Sequence, residues 1–202
     1  MINHKYKCIF IHIQRTGGTS IERTIQGEDQ WNKLHRTKHI LASTAKEIYA
    51  DYWNDYFKFS FVRNPWDRIY SMDKMKWNDM EIRGNNINVN NYVNFINKMK
   101  YELPHFSESI KRLHMYNNNY KENSVYCNIL NEELDFIGKF ENLEQDFQII
   151  CKNIGLKSDL IIDERKKVDP RFENYTMVYN KRSIKQIEQL YKNDLTRFNY
   201  TF

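Results

Sequence analysis

A chain of 202 residues with a net charge of +5 at pH 7 suits one domain, expected to span residues 1–202 and to bury about 70% of the surface its unfolded form exposes. No apolar run approaches the roughly 18 residues that a membrane helix requires, and no small-residue cleavage pattern follows the apolar stretch near the start. Three scattered cysteines, Cys8, Cys127 and Cys151, exclude a disulfide framework and a C-x-x-C zinc site, so a reducing cytoplasm is expected.

In chain order, "KCIFIHI" (Lys7 to Ile13) reads as a strand buried on both faces. The loop "QRTGGTS" follows, with a helix from Ser20 onward. Backbone N–H groups at a helix N-terminus favour a phosphate or sulfate, and Gly17 and Gly18 allow close approach and positive φ. Thr16, Thr19 and Ser20 add hydroxyls, and Arg15 adds a permanent forked cation. A plain strand-to-helix turn capped by Thr19 or Ser20 explains the same residues, and at this point both readings stand. The loop lacks the G-x-x-x-x-G-K-[ST] spacing of a nucleoside triphosphatase P-loop.

His39 precedes a helical segment running from about Ala42, and "FKFSFV" (Phe57 to Val62) forms the second strand. That strand ends at Arg63, turns at Asn64-Pro65 and enters a helix carrying Arg68 and Ser71; Pro65 suits a first helical turn. Arg63 and Ser71 can close on a second phosphate, or Arg63 can pair with a carboxylate such as Asp67. The Asn-rich stretches "RGNNINVNNY" and "MYNNNYKEN" read as surface loops. "DFIGKFE" (Asp135 to Glu141) is the third strand. Leu143, Phe147, Ile150, Cys151 and Ile154 then mark a helix closed by Gly155, and Ile184, Ile187, Tyr191, Leu195 and Phe198 mark a terminal helix behind a Ser183 cap. Strands alternating with helices predict an α/β fold, with a mostly parallel central sheet flanked by helices and ligands beyond the strands' C-terminal ends.

"IQRTGGTS" (Ile13 to Ser20) and "FVRNPWDRIYS" (Phe61 to Ser71) resemble the two nucleotide motifs of the sulfotransferases that use 3′-phosphoadenosine 5′-phosphosulfate, particularly the carbohydrate-modifying, heparan- and chondroitin-type branch. Similarity continues through "KHILASTAKEI", "DFIGKFENLEQDF" and "DLTRFNYTF". The resemblance implies a P-loop-like three-layer fold. It also implies that the Arg15 to Ser20 loop (Arg15, Thr16, Gly17, Gly18, Thr19, Ser20) holds the phosphosulfate, and that Arg63 and Ser71 hold the 3′-phosphate. Gln14 and Arg15 stand where the family has Pro and Lys. Arg15 is therefore assigned electrostatic stabilisation of the leaving phosphate, since its pKa makes it a poor proton donor.

The same resemblance makes His39 the general base, consistent with imidazole titrating near working pH. It also associates Arg171 and Tyr175 loosely with a region closing over the nucleotide; Tyr175 stacks on adenine or simply packs. His12 is read as a core or supporting group. His35, His105 and His114 are acceptor-site candidates, and Glu141 either orients a group or is structural. The expected co-substrate is 3′-phosphoadenosine 5′-phosphosulfate, with no metal. The expected acceptor is a hydroxyl, on a glycan, with specificity in the stretch from Asn78 to Asn123. Trp53, Trp66 and Trp77 near basic residues suggest a nucleic-acid surface, set aside because Trp66 belongs to the second motif; no nucleic-acid partner is expected, and the sequence sets no oligomeric state. The membrane anchor of animal Golgi relatives is missing, so the expectation is a cytoplasmic enzyme of a microbe or virus. Two alternatives remain: a P-loop-like phosphotransferase, and a catalytically silent nucleotide- or glycan-binding relative.

Overall fold

The computed structural model describes residues 1–30, 37–73, 89–90, 93–94, 121–161 and 174–202. Among them the elements run β1 (Ile2–Asn3), β2 (Cys8–Ile11), α1 (Gly18–Gln26), α2 (Ala42–Ile48), α3 (Ala50–Trp53), β3 (Phe57–Val62), α4 (Pro65–Asp73), α5 (Tyr126–Ile129), β4 (Phe136–Lys139), α6 (Leu143–Ile154), α7 (Lys181–Leu190) and α8 (Lys192–Phe198). None of these helices is long and apolar enough to cross a membrane. The chain divides into two compact units, one of Met1–Arg63 with Ile129–Lys167 and one of Asn64–Asn128 with Val168–Phe202.

The first unit holds a four-stranded sheet in the order β1-β2-β3-β4. The β1–β2 pair is antiparallel, whereas β2–β3 and β3–β4 are parallel, with Phe10 opposite Phe59 and Phe61 opposite Gly138. This is a mixed α/β architecture with a mostly parallel sheet flanked by helices. Every residue of "CIFI" in β2 is buried, as expected of a strand covered on both faces. Phe10 and Phe59 stack with centroids 4.9 Å apart. Ile21 and Ile25 of α1 and Phe147, Ile150, Cys151 and Ile154 of α6 join them in one core. Burying each large apolar side chain contributes about 1.5–3 kcal/mol. The α6 stripe ends as its sequence suggests, with Gly155 in the left-handed region at φ 68°. Gly138 is required by packing, since a Cβ there lies 2.5 Å from Phe61 Cε1.

β2 ends at Ile11, two residues short of the predicted strand. Its last pairing is with Ser60, whose hydroxyl donates to the Ile11 carbonyl at 2.7 Å. His12 and Ile13 lie beyond the ladder yet stay buried.

In the second unit, Asn64 caps α4: its Oδ1 accepts the Trp66 amide at 3.1 Å, with Pro65 at the first helical position. Trp66, 2% exposed, donates its indole N–H to the Ile184 carbonyl at 3.3 Å. The predicted terminal helix is instead two helices. Tyr191 leaves helical geometry (φ −107°, ψ 14°) between α7 and α8, and its hydroxyl accepts Arg68 Nη1 at 2.9 Å. The apolar periodicity runs through this break, so spacing alone does not reveal it. The cap of α7 is Asn180, whose Oδ1 accepts the Ser183 amide at 2.8 Å; Ser183 itself is buried within the first turn. Asp194 is fully buried and accepts the amides of Val125 (2.5 Å), Tyr126 (3.0 Å) and Cys127 (2.8 Å).

Candidate active site

The Arg15 to Ser20 loop runs from the end of β2 into α1 under strict local constraints. Gly17 is the α1 N-cap at φ 83°, where an L side chain is strained, and a Cβ there lies 2.7 Å from Leu143 Cδ2. A Cβ on Gly18 falls 2.1 Å from His12 Nε2, so the imidazole occupies the space any larger residue needs. Arg15 is also left-handed, at φ 64°. For a non-glycine residue this costs about 1–3 kcal/mol and is a feature concentrated at ligand sites.

Sequence reasoning offered Thr19 or Ser20 as cap; the structure puts Gly17 there, with no side-chain cap hydrogen bond. Thr16 is fully buried and donates its hydroxyl to the Ile13 carbonyl at 2.8 Å, so it braces the loop. The amides of Ser20 and Ile21 turn back to the Gly17 carbonyl. The amides of Gly18 and Thr19 precede them at the mouth of the helix, where α-helical geometry supplies no acceptor and an anion is favoured.

Arg63 stands at the end of β3. Its Nη1 donates to the Arg15 carbonyl at 3.1 Å, and its guanidinium lies 4.0 Å from the Phe140 ring centroid. Two cationic residues therefore belong to one loop assembly, which is stabilised by cation–π contact and suited to a polyanion.

His39 reaches this assembly through the chain itself. Its Nδ1 lies 3.0 Å from the His12 carbonyl. A carbonyl only accepts, so Nδ1 carries the hydrogen and the lone pair of the neutral ring sits on Nε2. Burial pushes the His39 imidazole well below its ordinary value, repulsion from His12 adds to this, and the hydrogen bond to the His12 carbonyl opposes it. Near neutral pH the ring is a neutral base.

Behind the loop lies a buried network that the sequence reading missed apart from His12. His12 Nδ1 meets Glu22 Oε1 at 2.7 Å. Glu22 Oε2 accepts Lys38 Nζ at 2.8 Å and the Gln30 amide at 3.0 Å, and Lys38 also pairs with Asp29. Burial alone raises the Glu22 pKa, but His12 and Lys38 outweigh it and hold the carboxyl well below the carboxylate range. The signal was there in α1, because Glu22 shares the inward side of the helix with Ile21 and Ile25, where a lone charge must find partners.

Ser71 is buried in α4 and Tyr175 opens a 3-10 turn, Tyr175–Met177, of the second unit. The Tyr175 ring meets Phe202 edge-on at 6.1 Å. Glu141 is exposed in the 3-10 turn Phe140–Asn142. Trp53 is also buried. His35, His105, His114, Trp77, Arg171 and most of Asn78 to Asn123 lie outside the described residues.

Among the described residues, a glycine-bounded loop at a helix N-terminus thus carries Arg15, is bonded by Arg63, and is preceded by the residue whose carbonyl orients His39. A family model described as "Sulfotransferase family" matches residues 1–201, and the chain belongs to that family. Its reaction class is sulfuryl transfer from a donor to an acceptor. No curated protein and no solved structure matches the chain.

Proposed function

We propose that the protein transfers a sulfuryl group from 3′-phosphoadenosine 5′-phosphosulfate to a hydroxyl of a carbohydrate, within a P-loop-like fold of the heparan- and chondroitin-type branch. The observation that carries this reading is the bond from His39 Nδ1 to the carbonyl of His12, which ties a neutral base to the residue leading into the anion loop. The loop residues fit such a donor: two backbone amides at a helix mouth, the Thr19 and Ser20 hydroxyls, and the Arg15 guanidinium. Arg63 and Ser71 are assigned to the 3′-phosphate on the strength of the second motif.

The donor supplies an activated sulfur–oxygen bond and a phosphate leaving group. His39 Nε2 takes the acceptor's hydroxyl proton as the acceptor oxygen bonds to sulfur. The bridging sulfur–oxygen bond breaks with its electron pair remaining on the phosphate, whose growing charge Arg15 and the loop amides stabilise. Arg15 keeps its proton throughout.

His39→Ala is expected to lower transfer by a factor of about 10² or more, with binding of 3′-phosphoadenosine 5′-phosphate retained. That nucleotide is expected to raise the melting temperature without magnesium. Normal turnover by the variant overturns the assignment of His39 as base, and stabilisation by ATP with magnesium alone overturns the reading.

A further inference from the structure

We propose that Glu22 is a positioning residue for this transfer, fixing His39 relative to the Arg15 to Ser20 loop by gripping His12 and Lys38 at once. The inference rests on the assignment of His39 as base. Glu22 lies in α1, whose N-terminus is the loop, and is fully buried. Its two oxygens reach three stretches of chain: the end of β2 through His12, the turn after α1 through the Gln30 amide, and the segment before α2 through Lys38. Lys38 is the neighbour of His39 in sequence, and His12 supplies the carbonyl that orients His39. The His12 ring packs edge-on against that of His39, with centroids 4.5 Å apart and planes at 68°, and its Nε2 abuts Gly18. Base and anion loop are thus both secured through one carboxylate.

A buried ion pair is weak grounds for stability, since well-packed apolar side chains often do as well. What the apolar alternative lacks is direction. The bond that His12 Nδ1 donates to Glu22 fixes the imidazole plane, and with it the Gly18 contact and the backbone that carries the His12 carbonyl.

The test compares Glu22→Gln with the parent, using release of 3′-phosphoadenosine 5′-phosphate from the phosphosulfate donor, with heparan- and chondroitin-type polysaccharides as acceptors and donor hydrolysis as the basal reaction. Turnover is expected to fall at least about tenfold while affinity for 3′-phosphoadenosine 5′-phosphate stays within about twofold. Long-range ¹H–¹⁵N spectra of the parent should show His39 as the Nδ1–H tautomer, and in Glu22→Gln as a mixture. If Glu22→Gln fails to fold, Lys38→Met removes one arm and is judged by the same split. Turnover within about twofold of the parent in a folded Glu22 or Lys38 variant, while His39→Ala is inactive, overturns the positioning role and leaves the function standing. An active His39→Ala removes the base assignment on which the positioning role rests, and a parent that releases no 3′-phosphoadenosine 5′-phosphate overturns the function itself. An Nε2–H tautomer of His39 in the parent overturns the positioning role directly.

Discussion

At the scale of single residues, His39 and Glu22 make the folded state sensitive to acid in two ranges. The folded His39 pKa lies below its unfolded value, chiefly through burial, so as pH falls through about 6.5 the unfolded chain binds the extra proton and stability is lost. The folded Glu22 pKa is depressed by His12 and Lys38, which outweigh burial. Its contribution is present above the unfolded value of about 4.3 and disappears as pH falls below it. The melting temperature is therefore expected to decline in two stages between about pH 7 and pH 3, with Glu22→Gln flattening the lower stage. Thermal melts followed by circular dichroism across that range check this; a Glu22→Gln profile parallel to the parent's removes the carboxylate from the account. The same depression keeps His39 unprotonated at neutral pH, as the proposed role of base requires.

At the scale of elements, the junction of β2 with α1 depends on an interlock between His12 and Gly18. Because His12 is held by Glu22 at 2.7 Å, it cannot swing aside for a methyl group that arrives 2.1 Å from its Nε2. Gly18→Ala is expected to cost about 1–3 kcal/mol. In a His12→Ala background the same change should cost distinctly less, giving a coupling above about 0.5 kcal/mol in urea titrations; additive costs contradict the interlock. This junction also marks the boundary between what the sequence discloses and what it conceals. The loop was legible because Gly17-Gly18, the flanking hydroxyls and Arg15 are local features, as are the Phe57–Val62 strand and the Gly155 stop. The Glu22 hub was not, because its meaning arises from Lys38 and Gln30, which only folding brings to it. The break at Tyr191 was hidden because its apolar stripe continues through it, and the bond from Arg68 to the Tyr191 hydroxyl joins residues 123 positions apart.

At the scale of the whole chain, each unit is stitched from stretches far apart in sequence, and no Pro/Gly-rich linker announces the division. The change of unit at Asn64 is itself a hydrogen-bonded helix cap. Within the second unit, Asp194 serves three amides at the start of α5, those of Val125, Tyr126 and Cys127. Asp194→Ala deprives all of them of their acceptor and is expected to cost about 3 kcal/mol or more, measurable as a lowered urea midpoint with unchanged slope; a loss under about 1 kcal/mol contradicts that role. In the first unit, β4 joins β3 in parallel register, Phe59 opposite Phe136, only after the chain has completed everything between Val62 and Phe136. Closing such a span costs free energy that grows with the logarithm of its length, about 0.6 kcal/mol for each doubling. By that measure the β3–β4 ladder is nearly indifferent to how many residues separate Val62 from Phe136, and what constrains the excursion is the second unit's own contacts, the three amides on Asp194 among them.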